Sequence, residues 1–201
     1  MTFTIFDITT AQHDIKKSRF IAIAAPVGSI EQAQQFLAQQ HDASATHQCW
    51  AWKINGQSRV NDDGEPGGTA GRPILAVIEG QQLDNIIVLV NRWYGGVKLG
   101  TGGLVRAYGG TAQLCLQAAH KVELIKTLQA SFFVSFAEWA RVEHYLQTHP
   151  VQIVQQHYDA QGIQLEVNIA EAFKNEFNGW LQGITAGREN LTIKKPEGAS
   201  N

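Results

Sequence analysis

Cysteine, long apolar runs and net charge are all scarce in this sequence. Its 201 residues include only two cysteines, too few for a disulfide framework or a four-cysteine zinc site. The longest aliphatic run, residues 86–90, is far shorter than the roughly 20 residues that a membrane helix needs, and the N-terminal stretch lacks a signal-peptide pattern. The formal net charge is −2, so any contact with nucleic acid must depend on a local patch. We therefore expect a soluble, cytoplasmic protein without a membrane partner.

The motifs of common catalytic sites are also missing. The sequence contains no G-x-S-x-G, H-E-x-x-H or C-x-x-C. From Gly100 onward it fits neither the P-loop spacing nor the dinucleotide pattern G-x-G-x-x-G, because Val105 stands where the last glycine is required. His47 and Cys49 would share one face of a strand, and we interpret them as an edge-packed histidine and a small buried thiol. These patterns predict no catalytic residue, no cofactor and no metal.

Local patterns at the start of the chain predict a strand, a helix and a hairpin. Residues 16–27 have the composition of a strand, and Ser29 opens a capping-box pattern for the helix that follows. Asn55-Gly56 separates the stretches CWAWKI (49–54) and QSRV (57–60). Because a two-residue type I′ turn needs positive φ at both positions, this dipeptide predicts a hairpin.

The next apolar stretches predict two more strands and a long helix. Residues 73–79 and 85–90 are predicted strands, and the second is so continuously apolar that it should lie at the centre of a sheet. A helix beginning near Thr101 would leave Arg106 facing solvent or a ligand. The opposite side of that helix would bury one stripe of side chains: Leu104, Tyr108, Thr111 and Cys115.

From about residue 127 the glycine density falls and the apolar pattern changes. The remaining chain predicts strand, helix, strand, strand, helix and strand, the order of a ferredoxin-like βαββαβ unit, with its last strand over residues 190–195. We therefore predict an α+β protein with two domains, residues 1–126 and 127–196. A disordered tail is predicted over residues 197–201.

Most of the chain's 19 glycines lie between residues 61 and 110. Glycine is costly in chain entropy, so this density indicates unusual backbone angles or a backbone that approaches another group closely. The loop DDGEPGGTAGRPI in this segment carries Asp62, Asp63 and Glu65. Hydrogen bonding of these carboxylates to turn N–H groups is the favoured interpretation, while a hard-cation site and contact with a ligand stay open.

The stretch KLGTGGLVR predicts an anion site. It places Thr101, Gly102 and Gly103 at a helix start, where free N–H groups and the positive end of the dipole attract anions. Four basic residues are predicted to complete a site for phosphate groups of nucleic acid: Arg72, Arg92, Lys98 and Arg106. Core packing is favoured over base stacking for five aromatic residues of this domain: Trp50, Trp52, Trp93, Tyr94 and Tyr108.

Four stretches, taken in order, carry a family resemblance: KKSRFIA (16–22), HQCWAW (47–52), NDDGEPGGTAGRPIL (61–75) and NRWYGGVKLGTGGLVRAY (91–108). They resemble the YigZ/IMPACT family, and the βαββαβ segment resembles the additional C-terminal domain of its bacterial members. Two departures are Gly68, where a serine is usual, and Trp93-Tyr94, where Tyr-Phe is usual. The first departure leaves Thr69 as the nearest hydroxyl of the loop.

The resemblance implies that the first domain has an α+β fold like domain two of a small-subunit ribosomal protein and domain four of elongation factor G. It implies an elongation-factor-like fold for the second domain. Eukaryotic relatives regulate translation through a protein partner, but that role depends on a different extra domain. We therefore expect a non-enzymatic, translation-associated regulator that contacts RNA or a ribosomal component through its glycine-rich face. A hydrolase-type enzyme acting on a phosphorylated or peptide substrate, and a module that binds a protein partner, stay open as alternatives.

Overall fold

The computed structural model describes residues 1–194. The predicted tail over 197–201 and the last two residues of the predicted second domain lie outside the described residues. The chain divides into two compact units that meet between Leu124 and Ile125. Both units combine helices with antiparallel sheets, which confirms the predicted two-domain α+β class. No helix within residues 1–194 is long and apolar enough to cross a membrane.

The first unit is built on a five-stranded antiparallel sheet. Its elements in chain order are β1 (Phe3–Ile5), β2 (Thr9–Ile15), β3 (Ser18–Pro26), α1 (Ile30–Gln39), β4 (His47–Ile54), β5 (Gln57–Asn61), α2 (Gly71–Gly80), β6 (Ile86–Trp93), α3 (Thr101–Ala118) and β7 (Lys121–Glu123). The sheet has the order β2-β3-β6-β4-β5, and β1 pairs with β7 separately. Three of these strands, β1, β2 and β7, are absent from the sequence predictions.

The strand β6 lies at the centre of the sheet, as predicted. Val88 and Val90 belong to a core shared with α2 and α3. Ile87 and Leu89 alternate with them and belong to a second core that includes Phe36 of α1. Because helices cover both faces of the sheet, a continuously apolar strand is satisfied only at this central position.

Two of the predicted local signals are confirmed at the level of single residues. Asn55 and Gly56 have φ values of 50° and 79°, so the β4–β5 hairpin turns on two residues with positive φ. The Ser29 side chain accepts a hydrogen bond from the backbone N–H of Gln32 at 3.3 Å and so caps α1. Both signals act over at most four residues of chain.

Residues 73–79, predicted as a strand, form most of helix α2, so that prediction is wrong. The buried residues of α2 are Gly71, Ile74 and Ile78, which are spaced as neighbours on one helix face. Pro73 lies in the first turn, where a missing N–H costs nothing. A short apolar run does not distinguish a buried strand from a buried helix, and here packing against the sheet decides for the helix.

The second unit is a four-stranded antiparallel sheet with two helices. Its elements are β8 (Thr127–Ser135), α4 (Phe136–Thr148), β9 (Val151–Tyr158), β10 (Gly162–Ala170), a 3₁₀ turn (Glu171–Phe173), α5 (Lys174–Ile184) and β11 (Thr192–Ile193). The sheet has the order β11-β8-β10-β9. Its core joins Val142 of α4 and Phe177 of α5 to the inward side chains of β8 and β10. Of the predicted strand over 190–195, the described part, residues 190–194, contains β11 at Thr192–Ile193.

Candidate functional site

The loop between β5 and α2 is shaped by Asp62. Its carboxylate accepts hydrogen bonds from the backbone N–H groups of Gly68 at 2.7 Å, Ala70 at 2.9 Å and Gly71 at 2.8 Å. Ala70 is the N-cap residue of α2 and has no capping side chain, so Asp62 supplies the cap from eight residues upstream. Burial acts to raise the pKa of Asp62, but the three hydrogen bonds and the nearby charge of Arg72 together outweigh it and hold that pKa below its ordinary value.

Asp63 holds the other side of this loop against β4. Its Oδ2 accepts a hydrogen bond from the backbone N–H of Gln48 at 2.6 Å, and its backbone carbonyl oxygen lies 2.7 Å from Nδ1 of His47. Because a carbonyl oxygen only accepts, Nδ1 of His47 carries a proton, and Nε2 holds the lone pair in the neutral ring. This Nε2 lies 3.9 Å from Oε1 of Glu65.

Glu65 is a buried carboxylate that ties the loop to the sheet and to α3. Its Oε1 accepts hydrogen bonds from Nη1 of Arg92 at 2.6 Å and from the hydroxyl of Tyr108 at 2.8 Å. Burial raises the pKa of Tyr108, so its hydroxyl stays protonated and donates. Arg92 is also buried, at the end of β6. The structure therefore pairs Arg92, which the sequence predicts as a phosphate contact, with an internal carboxylate.

The helix α3 begins without a side-chain cap. Its N-cap residue, Gly100, has φ of 75° and offers no side-chain acceptor. The backbone N–H of Leu104 donates to the carbonyl oxygen of Gly100 at 2.9 Å, so the first intrahelical bond leaves the amides of Thr101, Gly102 and Gly103 without an intrahelical acceptor. The positive end of the helix dipole lies at the same three amides.

A pocket of about 440 Å³ brings these features together. Its walls come from the β5–α2 loop, the start of β4, the end of β6 and the start of α3. Its chemically distinctive residues are His47, Glu65, Arg92, Tyr94, Lys98 and Thr101. The Tyr94 side chain is exposed, and Cζ of Arg92 lies 5.3 Å from its ring centroid. The pocket thus combines an internal ion pair, an exposed ring and the ammonium of Lys98, which has no ion-pair partner among residues 1–194.

The predicted phosphate-binding residues divide into three groups. Arg92, Lys98 and Thr101 line the pocket, and Gly102 and Gly103 belong to the same first turn of α3. Arg106 is exposed on α3, as predicted, with Nη1 beside Gly102. Arg72 is exposed on α2 next to Gly68 and does not line the pocket.

Thr69 and the other aromatic residues of this set do not line the pocket. The Thr69 hydroxyl is buried and donates to the carbonyl oxygen of Pro66 at 2.6 Å. Trp52 and Tyr108 are buried, and Cζ of Arg19 lies 4.1 Å from the ring centroid of Trp93. Tyr94 is thus the aromatic residue of this set that both lines the pocket and is exposed.

His47 is the pocket residue that sequence reasoning missed. The interpretation as an edge-packed histidine omits its place opposite Arg92 in the antiparallel β4–β6 register. Strand alternation puts His47 on the same face as the buried Cys49, which is a signal that this side chain points toward α3 rather than outward. Alternation does not identify which residue lies opposite on the paired strand, and it is the position opposite Arg92 that makes His47 part of this site.

The buried Cys49 is expected to be unreactive in the folded protein. Its thiol donates to the carbonyl oxygen of Asp62 at 3.0 Å, and burial raises its pKa to about 12. Since the thiolate is the reactive form, the native protein should react with a disulfide reagent at pH 8 at least about a hundredfold more slowly than the urea-unfolded protein. Mass spectrometry of the labelled peptides distinguishes Cys49 from Cys115. Rapid labelling of Cys49 in the native state would contradict this burial.

Two domain families match the chain. The one described as "Impact N-terminal domain" matches residues 16–116, and the one described as "Domain of unknown function (DUF1949)" matches residues 132–188. The "IMPACT family member in pol 5'region" of Thermus thermophilus is 43% identical over 155 residues, which cover 77% of this chain and 86% of that protein. "Protein IMPACT" of Rattus norvegicus is 38% identical over 93 residues, which cover 42% of this chain and 29% of that protein.

A solved structure described as "Crystal structure of an hypothetical protein" is similar over nearly the whole chain. Its TM-score is 0.71 at 31% identity, and the match covers 98% of both chains. All the pocket residues named above fall within the Impact N-terminal domain match. The resemblance predicted from the sequence is confirmed, and this chain belongs to the IMPACT family.

Proposed function

We propose that this protein is a non-enzymatic, translation-associated regulator that binds RNA, free or as part of a ribosomal component, through the start of α3 and the pocket beside it. The observation that carries the proposal is the uncapped start of α3, which shares one pocket with Arg92 and Lys98. Backbone N–H groups at helix starts and basic side chains are the donors that bind nucleic-acid phosphates. Membership of the IMPACT family supports the link to translation.

The charge of the chain favours an RNA contact that involves few phosphates. The whole chain has a net charge of −2, so no long-range positive field draws RNA toward it. Lys98 and Arg106 are exposed, while Arg92 shares its charge with Glu65. Binding through these three cations is therefore weak and sensitive to salt, with a slope of log K against log salt of about −2 at roughly −0.7 per phosphate for a single strand.

The proposal includes the predicted likeness to translation factors. The first unit would share its fold with a ribosomal-protein domain and with domain four of elongation factor G, and the second unit would be ferredoxin-like. Supporting the latter, the second unit has the element order βαββαβ, with β8 and β10 adjacent at the middle of the sheet. Likeness of fold is an analogy, so the functional argument depends on the site itself.

Changing Arg106 to glutamate is expected to weaken the binding of single-stranded RNA at least about tenfold and to make the salt slope shallower by about 0.7, because one phosphate contact becomes a repulsion. Arg106 is exposed, so the free energy of unfolding should change by no more than about 0.5 kcal/mol. Fluorescence anisotropy at two salt concentrations measures the RNA affinity and its salt slope.

The matched control is Arg59→Glu, which makes the same charge change at an exposed residue of β5 that does not line the pocket. This control should retain the wild-type affinity. If Arg106→Glu binds RNA as the wild type does, or if both variants lose affinity equally, the start of α3 is not the RNA site. The alternative in which this surface binds a protein partner would then be favoured.

A further inference from the structure

We infer that the pocket binds a terminal phosphate, the monoester group of a nucleotide or of an RNA 5′ end, rather than a phosphate inside a continuous strand. This inference deepens the proposed function and rests on it. The first support is the start of α3, an 18-residue helix whose Gly100 cap offers no acceptor to the first-turn amides. Such amides, with the positive end of the dipole, bind anions.

The second support is independent of the helix. Arg92 lines the same pocket and is only 5% exposed, and its Nε–H has no hydrogen-bond partner among residues 1–194. Its Nη1 is already used by Glu65. A buried donor without an acceptor is costly, and an anion that contacts the Arg92 guanidinium through the pocket would add an acceptor beside Glu65.

The balance of charge also calls for an anion. Glu65 and Arg92 neutralise each other at 2.6 Å. What remains is the ammonium group of Lys98 and the positive end of α3. A phosphate group is the anion whose oxygens suit both backbone amides and a lysine.

The number of donors distinguishes the two kinds of phosphate. The site offers the guanidinium of Arg92, the ammonium of Lys98, the hydroxyl of Thr101 and up to three first-turn amides. A phosphodiester presents two terminal oxygens, whereas a monoester presents three and carries up to two negative charges. The monoester therefore uses more of these donors and complements more of the positive charge.

The shape of the pocket agrees with one terminal group. Glu65 and Arg92, which are both buried, form part of its wall, so a ligand must enter from the exposed side where Tyr94 lies. A volume of about 440 Å³ is in the range of sites for one small ligand. The exposed Tyr94 ring is suited to stack against a base or ribose attached to the bound phosphate.

The test begins with mononucleotides, so that it does not depend on RNA binding. Calorimetric titration of the full chain with adenosine 5′-monophosphate should give saturable binding, and adenosine should bind at least about tenfold more weakly. Thr101→Glu places a carboxylate in the first turn of α3, where it repels a phosphate but does not destabilise the helix. This variant should lose the preference for adenosine 5′-monophosphate over adenosine. Arg59→Glu serves as the control and should keep the preference. Equal binding of the two ligands, or none of either, would overturn the inference.

The second arm uses two RNA oligomers of one sequence, one with a 5′-monophosphate and one with a 5′-hydroxyl. The inference expects the phosphorylated oligomer to bind at least about tenfold more tightly, and this ratio to fall toward one in Thr101→Glu and in Lys98→Ala. Equal, measurable affinities would overturn the terminal-phosphate inference and leave the proposed RNA binding intact. Binding of adenosine 5′-monophosphate with no binding of either oligomer would overturn the proposed RNA function, with a free nucleotide as the ligand of this pocket.

Discussion

Replacing Glu65 with alanine is expected to lower the free energy of unfolding by about 3–5 kcal/mol. Glu65 is buried, and its carboxylate accepts hydrogen bonds from Arg92 at 2.6 Å and from Tyr108 at 2.8 Å. Without it, a buried guanidinium loses its counter-charge and a buried hydroxyl loses its acceptor. A lone buried charge is much more costly than the absence of the whole pair, so the loss should exceed that of an ordinary surface substitution.

Urea unfolding of the full chain, followed by circular dichroism, measures this change through the midpoint and slope. The matched control is Glu79→Ala, which removes an exposed glutamate of α2 and should cost no more than about 0.5 kcal/mol. The double variant Glu65→Met/Arg92→Met should be more stable than Glu65→Ala, because both charges leave together. A cost below about 1 kcal/mol for Glu65→Ala would show that Arg92 does not depend on this carboxylate.

Changing Gly95 to alanine is expected to destabilise the first unit by about 3 kcal/mol or more. A Cβ at Gly95 would lie 1.8 Å from the backbone oxygen of Lys17 and 2.1 Å from its carbonyl carbon. Lys17 has φ of 70°, in the two-residue turn between β2 and β3, and the N–H of Gly95 donates to the hydroxyl of the buried Ser18 at 3.2 Å. Because the clash involves backbone atoms, a rotamer change does not relieve it.

The comparison for Gly95→Ala is Gly67→Ala. Gly67 lies in the β5–α2 loop and is not in the positive-φ region, and a Cβ added there would have no heavy atom within 4 Å. Its replacement should therefore change the free energy of unfolding by no more than about 0.5 kcal/mol. Thermal unfolding of the two variants under one set of conditions gives the difference. Equal melting temperatures would mean that the chain after β6 does not approach the β2–β3 turn as closely as described.

Local rules were sufficient wherever the cause and its effect lie close together in the chain. Asn55-Gly56 determines the β4–β5 hairpin, and Ser29 determines the start of α1. Helical periodicity was enough to leave Arg106 exposed on α3 while Tyr108 is buried. The continuous apolar run of β6 was enough to place that strand between two covered faces.

The structural roles of the three carboxylates in the β5–α2 loop depend on contacts that no local rule specifies. The sequence favours hydrogen bonding to turn amides for all three carboxylates, and Asp62 and Asp63 do accept from backbone N–H groups. Glu65 instead turns inward to Arg92, 27 residues away, and to Tyr108, 43 residues away. The three carboxylates are alike in sequence, and only packing separates the two that shape the loop from the one that joins the pocket.

By itself, the sequence determined the family, the α+β class, the central strand and the glycine-rich start of α3, because each depends on residue type and short-range spacing. Only the tertiary structure decided that residues 71–80 are a helix, since Asp62 and the sheet supply its cap and its buried face. Tertiary structure also decided that His47 stands opposite Arg92, because strand alternation sets the face of a residue while pairing register sets its neighbour. The pocket forms where the β5–α2 loop and the paired ends of β4 and β6 pack beside the start of α3, and of these only the helix start was predicted from local spacing.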